Sequence, residues 1–152
     1  MGIIINYQIV EIGEDFSDIK DPKERWEAYD IQDYVINENE FNSHFYSWSA
    51  DVLIKQNKVV DIIESSITVN TWEGEHIVGD RSKFNMNELV TIDELFTLIY
   101  QLSKHTTQVL TVEYTPQYGY PTDIFSTDKD TTVMDSEYSF HANVVRKIMV
   151  QN

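Results

Sequence analysis

Residues 114–124 read YTPQYGYPTDI, a stretch with three tyrosines, two prolines and one glycine. Pro116 suits the second position of a β-turn, and Gly119, three residues later, suits a left-handed backbone. The second proline falls where a new strand begins, and there its missing N–H does least harm. The stretch therefore predicts a rigid hairpin that fixes the register of two strands. The alternative is a ligand-binding loop with Tyr118 and Tyr120 near its tip.

Strands are predicted on both sides of this hairpin. Apolar residues share one face of the stretch 109–114, which leads into the hairpin, and a second strand is predicted over 122–127. A third strand is predicted over 138–150, where large apolar residues alternate with polar ones. The connections between adjacent strands are short, so we expect antiparallel pairing.

A second hairpin is predicted earlier in the chain. Apolar and polar residues alternate over 48–55, and Gln56-Asn57 suits a two-residue turn because Asn tolerates positive φ. The return strand covers 58–63 and extends toward Trp72. The remaining predictions are a strand over 3–10, an acidic loop over 11–20, the start of a strand at 33–36, and a loop or insertion over 73–90.

Two helices are predicted from their capping signals. Asp21 precedes Pro22, which fits the first helical position, and this helix extends to about Asp30. Thr91 and Glu94 have the spacing of a capping box at the start of the second helix. The apolar stripe of that helix consists of Ile92, Leu95, Phe96, Ile99 and Leu102.

The resulting element order is roughly β-α-β-β-α-β-β-β. We therefore predict an α+β fold, a single antiparallel β-sheet with two helices packed on one face. The chain of 152 residues is expected to be one domain, 1–152. Within it, residues 1–20 form an N-terminal strand and an acidic loop, and residues 22–145 form the core.

The net charge of −15 is the most unusual property of the composition. Such a field repels nucleic acid and anionic membrane and speeds encounter with basic proteins. We expect a basic protein partner, no nucleic acid and no membrane insertion, while the oligomeric state stays open. The sequence begins without a signal peptide, so a cytoplasmic location is expected. The alternative is an exported or lipid-anchored protein from which a leader was removed.

Few classes of chemistry fit the sequence. The chain has no cysteine and no G-x-S-x-G or glycine-rich phosphate motif. Its four histidines are scattered, and the acids of 128–137 do not have the spacing of an EF-hand, so a calcium site there is a minor alternative. We predict no catalytic residues, no cofactor and no metal.

An aromatic run at 41–48 is the candidate binding element. Phe45, Tyr46 and Trp48 lie in an acidic, polar setting, and exposed aromatic residues are typical anchors of protein interfaces. Together with Tyr118 and Tyr120 they form our predicted partner-binding set. The alternative is that these rings pack in the core.

Several motifs of the chain together resemble a known family. The motifs are Trp26 in a helix, Asp33-Tyr34 opening a strand, Val52 with Val59-Val60, Thr91 to Phe96, and Tyr118 to Ile124. In this pattern the chain resembles a bacterial family of domains of unknown function, DUF6174. The resemblance implies a shared fold and no assigned catalytic residues. Members of that family are commonly exported lipoproteins with a lipobox cysteine, and many carry a further cysteine pair, whereas this chain has no cysteine.

The sequence thus leads to two functional expectations from different classes. The first is a non-enzymatic binding protein, an acidic inhibitor or immunity-type protein that neutralises a basic protein partner. The alternative is an envelope-associated accessory or solute-binding domain, as the family context implies. A third and weaker alternative is an enzyme that uses a histidine–carboxylate pair.

Overall fold

Two α-helices and nine β-strands form the fold in the computed structural model, which describes residues 6–42, 46–130 and 137–151. The helices are α1 (Pro22–Tyr29) and α2 (Ile92–Ser103). The strands are β1 (Asn6–Ile9), β2 (Tyr34–Asn42), β3 (Ser47–Lys55), β4 (Lys58–Ile62), β5 (Thr68–Asn70), β6 (His76–Val78), β7 (Gln108–Tyr114), β8 (Pro121–Asp128) and β9 (Tyr138–Gln151). Single turns of 3-10 helix lie at Glu64–Ser66, Arg81–Lys83 and Met86–Glu88.

The strands form one sheet in the order β6-β5-β3-β2-β9-β8-β7, with β1 added to β9 and β4 added to β3. Every strand pair in the described residues is antiparallel. This arrangement confirms the predicted antiparallel sheet and the α+β class. The central strand β9 is 14 residues long, so it has room for β2 along one edge and for two shorter strands along the other.

The backbone hydrogen bonds of β9 show along which of its two edges β1 lies. The N–H of Val10 donates to the carbonyl of Lys147 at 2.9 Å, and the N–H of Ile148 donates to the carbonyl of Asp33 at 3.1 Å. Adjacent residues of a strand direct these groups to opposite edges. Since Asp33 directly precedes β2, strand β1 lies on the other edge of β9 and continues the line of β8.

The hairpin between β7 and β8 is closed as its sequence predicts. The N–H of Thr115 donates to the carbonyl of Tyr120 at 2.9 Å, and the N–H of Gly119 donates to the carbonyl of Thr115 at 3.0 Å. Gly119 has a φ of 86°. The hairpin also contacts α1, because the Arg25 guanidinium donates to the carbonyl of Thr115 at 3.2 Å and the Tyr29 hydroxyl donates to that of Gln117 at 3.0 Å. The stretch therefore fixes the helix as well as the strand register.

The turn between β3 and β4 also agrees with its prediction. Gln56 and Asn57 both have positive φ, 50° and 58°. Two left-handed residues in a two-residue loop give the type I′ geometry that matches the twist of antiparallel strands.

The two helices begin at the predicted caps. The side chain of Asp21 accepts the N–H of Lys23 at the start of α1. At the start of α2 the Thr91 hydroxyl accepts the N–H of Glu94 and the Glu94 carboxylate accepts the N–H of Thr91, so the capping box is complete. The N–H of Ile92 donates to the Tyr34 hydroxyl at 2.9 Å, which attaches this helix end to β2.

Both helices pack on one face of the sheet, as predicted. Trp26 and Tyr29 of α1 and Leu95 of α2 belong to one core cluster with alternate residues of β2, β3, β8 and β9. A second, smaller core lies on the other face, around β1 and β4, and its buried residues are Val35, Leu53 and Ile148.

The segment between β4 and α2 differs from its prediction. The return strand ends at Ile62, and β5 is a separate strand after a 3-10 turn. The prediction of a loop or insertion over 73–90 was wrong at His76–Val78, which forms β6 and pairs with β5. A strand of three residues offers too few positions for an alternating pattern to appear, so pairing with β5 decides its conformation.

Replacing Gly119 with alanine is expected to lower the free energy of unfolding by about 3 kcal/mol, since a β-carbon adds left-handed strain and a steric clash. That carbon would lie 2.2 Å from the carbonyl oxygen of Pro22. Gly74 is the matched control, because its φ is also 86° and nothing lies within 4 Å of a β-carbon there. Urea unfolding of both variants measures the difference. Equal losses would show that contact with α1 does not constrain Gly119.

Candidate functional site

The face of the sheet opposite the helices carries two rows of side chains that cross seven strands. The register places these residues side by side, while their neighbours along each strand point to the helix-side core. We call these two rows the open face. The first row is Val78, Thr68, Ser49, Asn39, His141, Asp123 and Glu113, and the second is His76, Asn70, Ser47, Phe41, Ser139, Phe125 and Thr111.

Side-chain hydrogen bonds hold the middle of the open face in place. Asn37, two residues before Asn39 on the same face of β2, donates its amide to Asp51 at 2.9 Å and to Ser49 at 3.4 Å. Asn39 in turn donates to Asn37 at 3.4 Å. Polar side chains that already contact one another keep their geometry without a ligand. The side chains in this part of the surface are therefore held in a fixed arrangement.

A histidine–carboxylate pair lies at the centre of the first row. Nδ1 of His141 is 2.5 Å from the Asp123 carboxylate, and the two side chains are 41% and 42% exposed. Burial has the largest single effect on Asp123 and opposes its ionisation, but the hydrogen bonds from His141 and Thr122 and the charge of His141 together outweigh it and lower the pKa of this carboxyl. The enzyme alternative drawn from the sequence required a histidine–carboxylate pair without naming its residues, and His141 with Asp123 is such a pair. Its exposure leaves the pair in contact with water.

The electrostatic character of the open face is acidic. Its two rows contain Asp123 and Glu113 and no lysine or arginine, and Asp51 lies beside them. Two phenyl rings, Phe41 and Phe125, are 38% and 39% exposed on the same face. Carboxylates around partly exposed aromatic rings are suited to contact a basic protein surface.

The predicted partner-binding residues do not lie together on this face. Trp48 is 1% exposed and packs edge-on against Phe84 in the core, and Tyr120 is 6% exposed. Tyr46 is only partly buried. Phe45 falls outside the described residues.

Tyr118 belongs to the side of the fold that carries α1. Its ring lies 5.1 Å from that of Tyr29 and stacks on Tyr120 at 6.4 Å between centroids. The two hairpin tyrosines thus pack with the helix. The open face, which sequence reasoning missed, had one signal, the alternation of Asn37, Asn39 and Phe41 with residues that point inward.

Glu38 is a buried carboxyl on the helix side of β2. The residue is 0% exposed, and its carboxyl accepts the N–H of Val90 at 3.0 Å. Its second oxygen, Oε2, has no hydrogen-bond partner among the described residues. Burial raises the pKa of Glu38 to about 8, although the bond from Val90 acts in the opposite direction. Glu38 therefore attaches the segment before α2 to the sheet, and ionisation there is unfavourable.

Two further carboxyls lie near the same end of β2. Burial raises the pKa of Glu40, and the negative charge of Glu88 adds to this effect. Nε1 of Trp48 donates to Glu40 at 3.2 Å. Burial also raises the pKa of Glu88. The three groups are partly or fully desolvated acids, and their shifted pKa values reflect the cost of burying charge.

Metal and solute binding have limited support in the geometry. Within residues 6–42, 46–130 and 137–151, no three His, Asp or Glu residues are placed to hold a metal ion. His44 falls outside these ranges, and so does Asp135 of the acidic stretch 128–137.

A cleft of about 460 Å³ separates the end of α1 from the start of α2 and includes Glu27, Asp30 and Asp93. Its lining is mostly polar, unlike the apolar lining of typical small-molecule sites.

Replacing Glu38 with glutamine is expected to stabilise the protein more at pH 8 than at pH 5. The folded pKa, about 8, lies above the unfolded value of 4.5, so stability from this group falls as pH rises between the two values. Each unit of pKa shift corresponds to roughly 1.4 kcal/mol of stability. We therefore expect the difference in unfolding free energy between Glu38→Gln and wild type to change by a few kcal/mol from pH 5 to pH 8. Glutamine keeps the acceptor for Val90.

Urea unfolding at both pH values measures this effect, with the exposed Glu24→Gln as the control variant. A difference between Glu38→Gln and wild type that is the same at pH 5 and pH 8 would contradict a raised pKa at Glu38.

No helix in the described part of the chain has the length and apolar character needed to cross a membrane.

Comparison with known proteins gives one informative result. No curated protein and no solved structure matches the chain significantly. A family model described as a family of unknown function, DUF6174, matches residues 18–147, which include both helices and the hairpin between β7 and β8. The chain therefore belongs to the DUF6174 family.

Proposed function

We propose that this protein is a non-enzymatic binding protein that neutralises a basic protein partner through its open face. The observation that carries the proposal is the composition of that face, two rows across seven strands with carboxylates, phenyl rings and no lysine or arginine. The distribution of basic residues supports it. Two of the chain's cations are already paired with carboxylates, because Arg81 lies 2.6 Å from Asp61 and Lys23 lies 3.8 Å from Glu27.

The charge of the whole chain favours rapid encounter with such a partner. A net charge of −15 attracts a positively charged protein over a distance of about one Debye length, roughly 8–10 Å in physiological salt. The carboxylates of Asp51, Asp123 and Glu113 then lie where the two surfaces meet. Steering of this kind raises the association rate and makes it sensitive to salt.

The rigidity of the open face supports affinity as well as rate. The bonds among Asn37, Asn39, Ser49 and Asp51 restrict these side chains before any partner arrives, so little further entropy is lost on binding. The rings of Phe41 and Phe125 offer apolar area that a partner can cover.

An inhibitor or immunity-type role follows from the kind of partner that this surface fits. An enzyme that acts on a polyanion needs a basic active site, and an acidic rigid surface can occupy such a site in place of the substrate. The partner class we propose is therefore a toxin-like enzyme with a basic active site.

The test compares two variants with equal charge. Asp51→Asn with Glu113→Gln removes two of the three carboxylates on or beside the open face, while Glu14→Gln with Glu24→Gln removes two acids elsewhere. The partner is captured from native lysate on the wild-type protein or produced from a neighbouring toxin-like reading frame, then purified. We expect the open-face variant to lose about tenfold in affinity, mostly through slower association, and the control variant to lose less than about threefold.

Surface plasmon resonance at several salt concentrations provides the rates, and urea unfolding confirms that both variants are folded. Equal losses in the two variants would mean that only the net charge acts and not the open face. Association that does not change with salt would refute electrostatic steering.

A further inference from the structure

Strand β7 lies at the end of the sheet and pairs with β8 along one edge only. In the described residues no segment pairs with its other edge. Natural edge strands are usually protected by lysine, proline, a bulge or short length. This strand has seven residues, QVLTVEY, with one charged residue and no lysine or proline, and its register shift lies at its end, between Glu113 and Tyr114. Its free edge is therefore open to an added strand.

The hydrogen-bond pattern shows which groups face the free edge. The N–H of Lys129 donates to the carbonyl of Thr107 at 2.9 Å, so this pair is bonded across the hairpin. Bonded pairs recur at every second residue of an antiparallel ladder. Because β7 and β8 keep one register from Gln108 to Glu113, the N–H and C=O groups of Leu110 and Val112 point away from β8.

The side chains of β7 are also incompletely covered. Leu110, Val112 and Tyr114 face the helix-side core but are only partly buried, and Val109 on the other side is 45% exposed. A strand added to this edge would cover apolar side chains on both faces while satisfying backbone groups. Recognition by strand addition obtains affinity from the main chain and specificity from alternate side chains.

We infer that the free edge of β7 takes up an extended, basic strand of the protein partner and that this strand continues the sheet. The inference rests on the proposed function for the basic character of the partner. A strand of another protein and a strand of a second copy of this chain are the two candidate occupants of the edge. The net charge of −15 favours the other protein, because a second copy would bring the same charge to the edge and be repelled. Glu113 and the ring of Phe125 lie next to this edge on the open face, where a lysine or arginine of the added strand would contact them.

The test uses a seven-residue peptide in which lysine and valine alternate, added at millimolar concentration to the isotopically labelled full chain. Amide hydrogen exchange of β7 is followed by NMR. We expect exchange at Leu110 and Val112 to slow by about tenfold, while the amides of Val109 and Thr111, already bonded to β8, change little. A peptide with glutamate in place of lysine is the control and is expected to have no effect.

The variant Val112→Pro provides a second measurement. It removes an N–H that points to the free edge and leaves the bonds between β7 and β8 in place. We expect it to lose peptide binding while exchange protection of Val109 and Thr111 is retained. If this variant does not fold, the exchange experiment on the wild-type chain still decides whether an added strand pairs with the free edge of β7.

Three outcomes overturn the inference. The first is peptide binding without slower exchange at Leu110 and Val112, the second is no binding, and the third is slower exchange with rising protein concentration alone, which would assign the edge to a second copy. None of these depends on the natural partner. The proposed function is tested separately by the open-face variants, so failure of the edge inference is distinguishable from failure of the proposed function.

Discussion

The antiparallel ladder between β2 and β9 runs through the middle of the sheet, and the other described strands extend the sheet outward from these two. Strand β9 is long enough to pair with β2 on one edge and with β8 and β1 on the other. The register shifts between Val35 and Asn37, where β9 has one extra residue. A bulge of this kind increases local twist. In this sheet the bulge lies between the part that carries the open face and the part that carries the smaller core.

Alternation along β2 links the core to the proposed binding surface. One side of the strand places Ile36 and Glu38 under the helices, and the other presents Asn39 and Phe41 to solvent. A single-residue shift in register would exchange the two sets. The buried carboxyl of Glu38 accepts a bond from Val90, next to the cap of α2, so it joins the helix layer to the sheet while raising the cost of ionisation.

Features that depend on a few adjacent residues were predicted correctly from the sequence. The capping box of Thr91 and Glu94, the turn at Gln56-Asn57 and the hairpin around Gly119 are all present, because each depends on backbone preferences of a few adjacent residues. The extent of β2 was not apparent, since its stretch of asparagine and glutamate has low strand propensity. Pairing with β3 and β9 on both edges overrides that preference.

The fold class, the family, the helix and turn positions and the acidic, cysteine-free character of the chain are all readable from the sequence, since they follow from composition and from short-range spacing. Which aromatic residues are exposed depends on the assembled fold. Trp48 and Tyr120, two predicted anchors, lie in the core, whereas Phe41 and Phe125 face solvent. The order and register of strands far apart in the chain assemble the open face and, among the residues that the structure describes, leave one edge of β7 unpaired. Those pairings depend on contacts between distant residues, which local spacing does not encode.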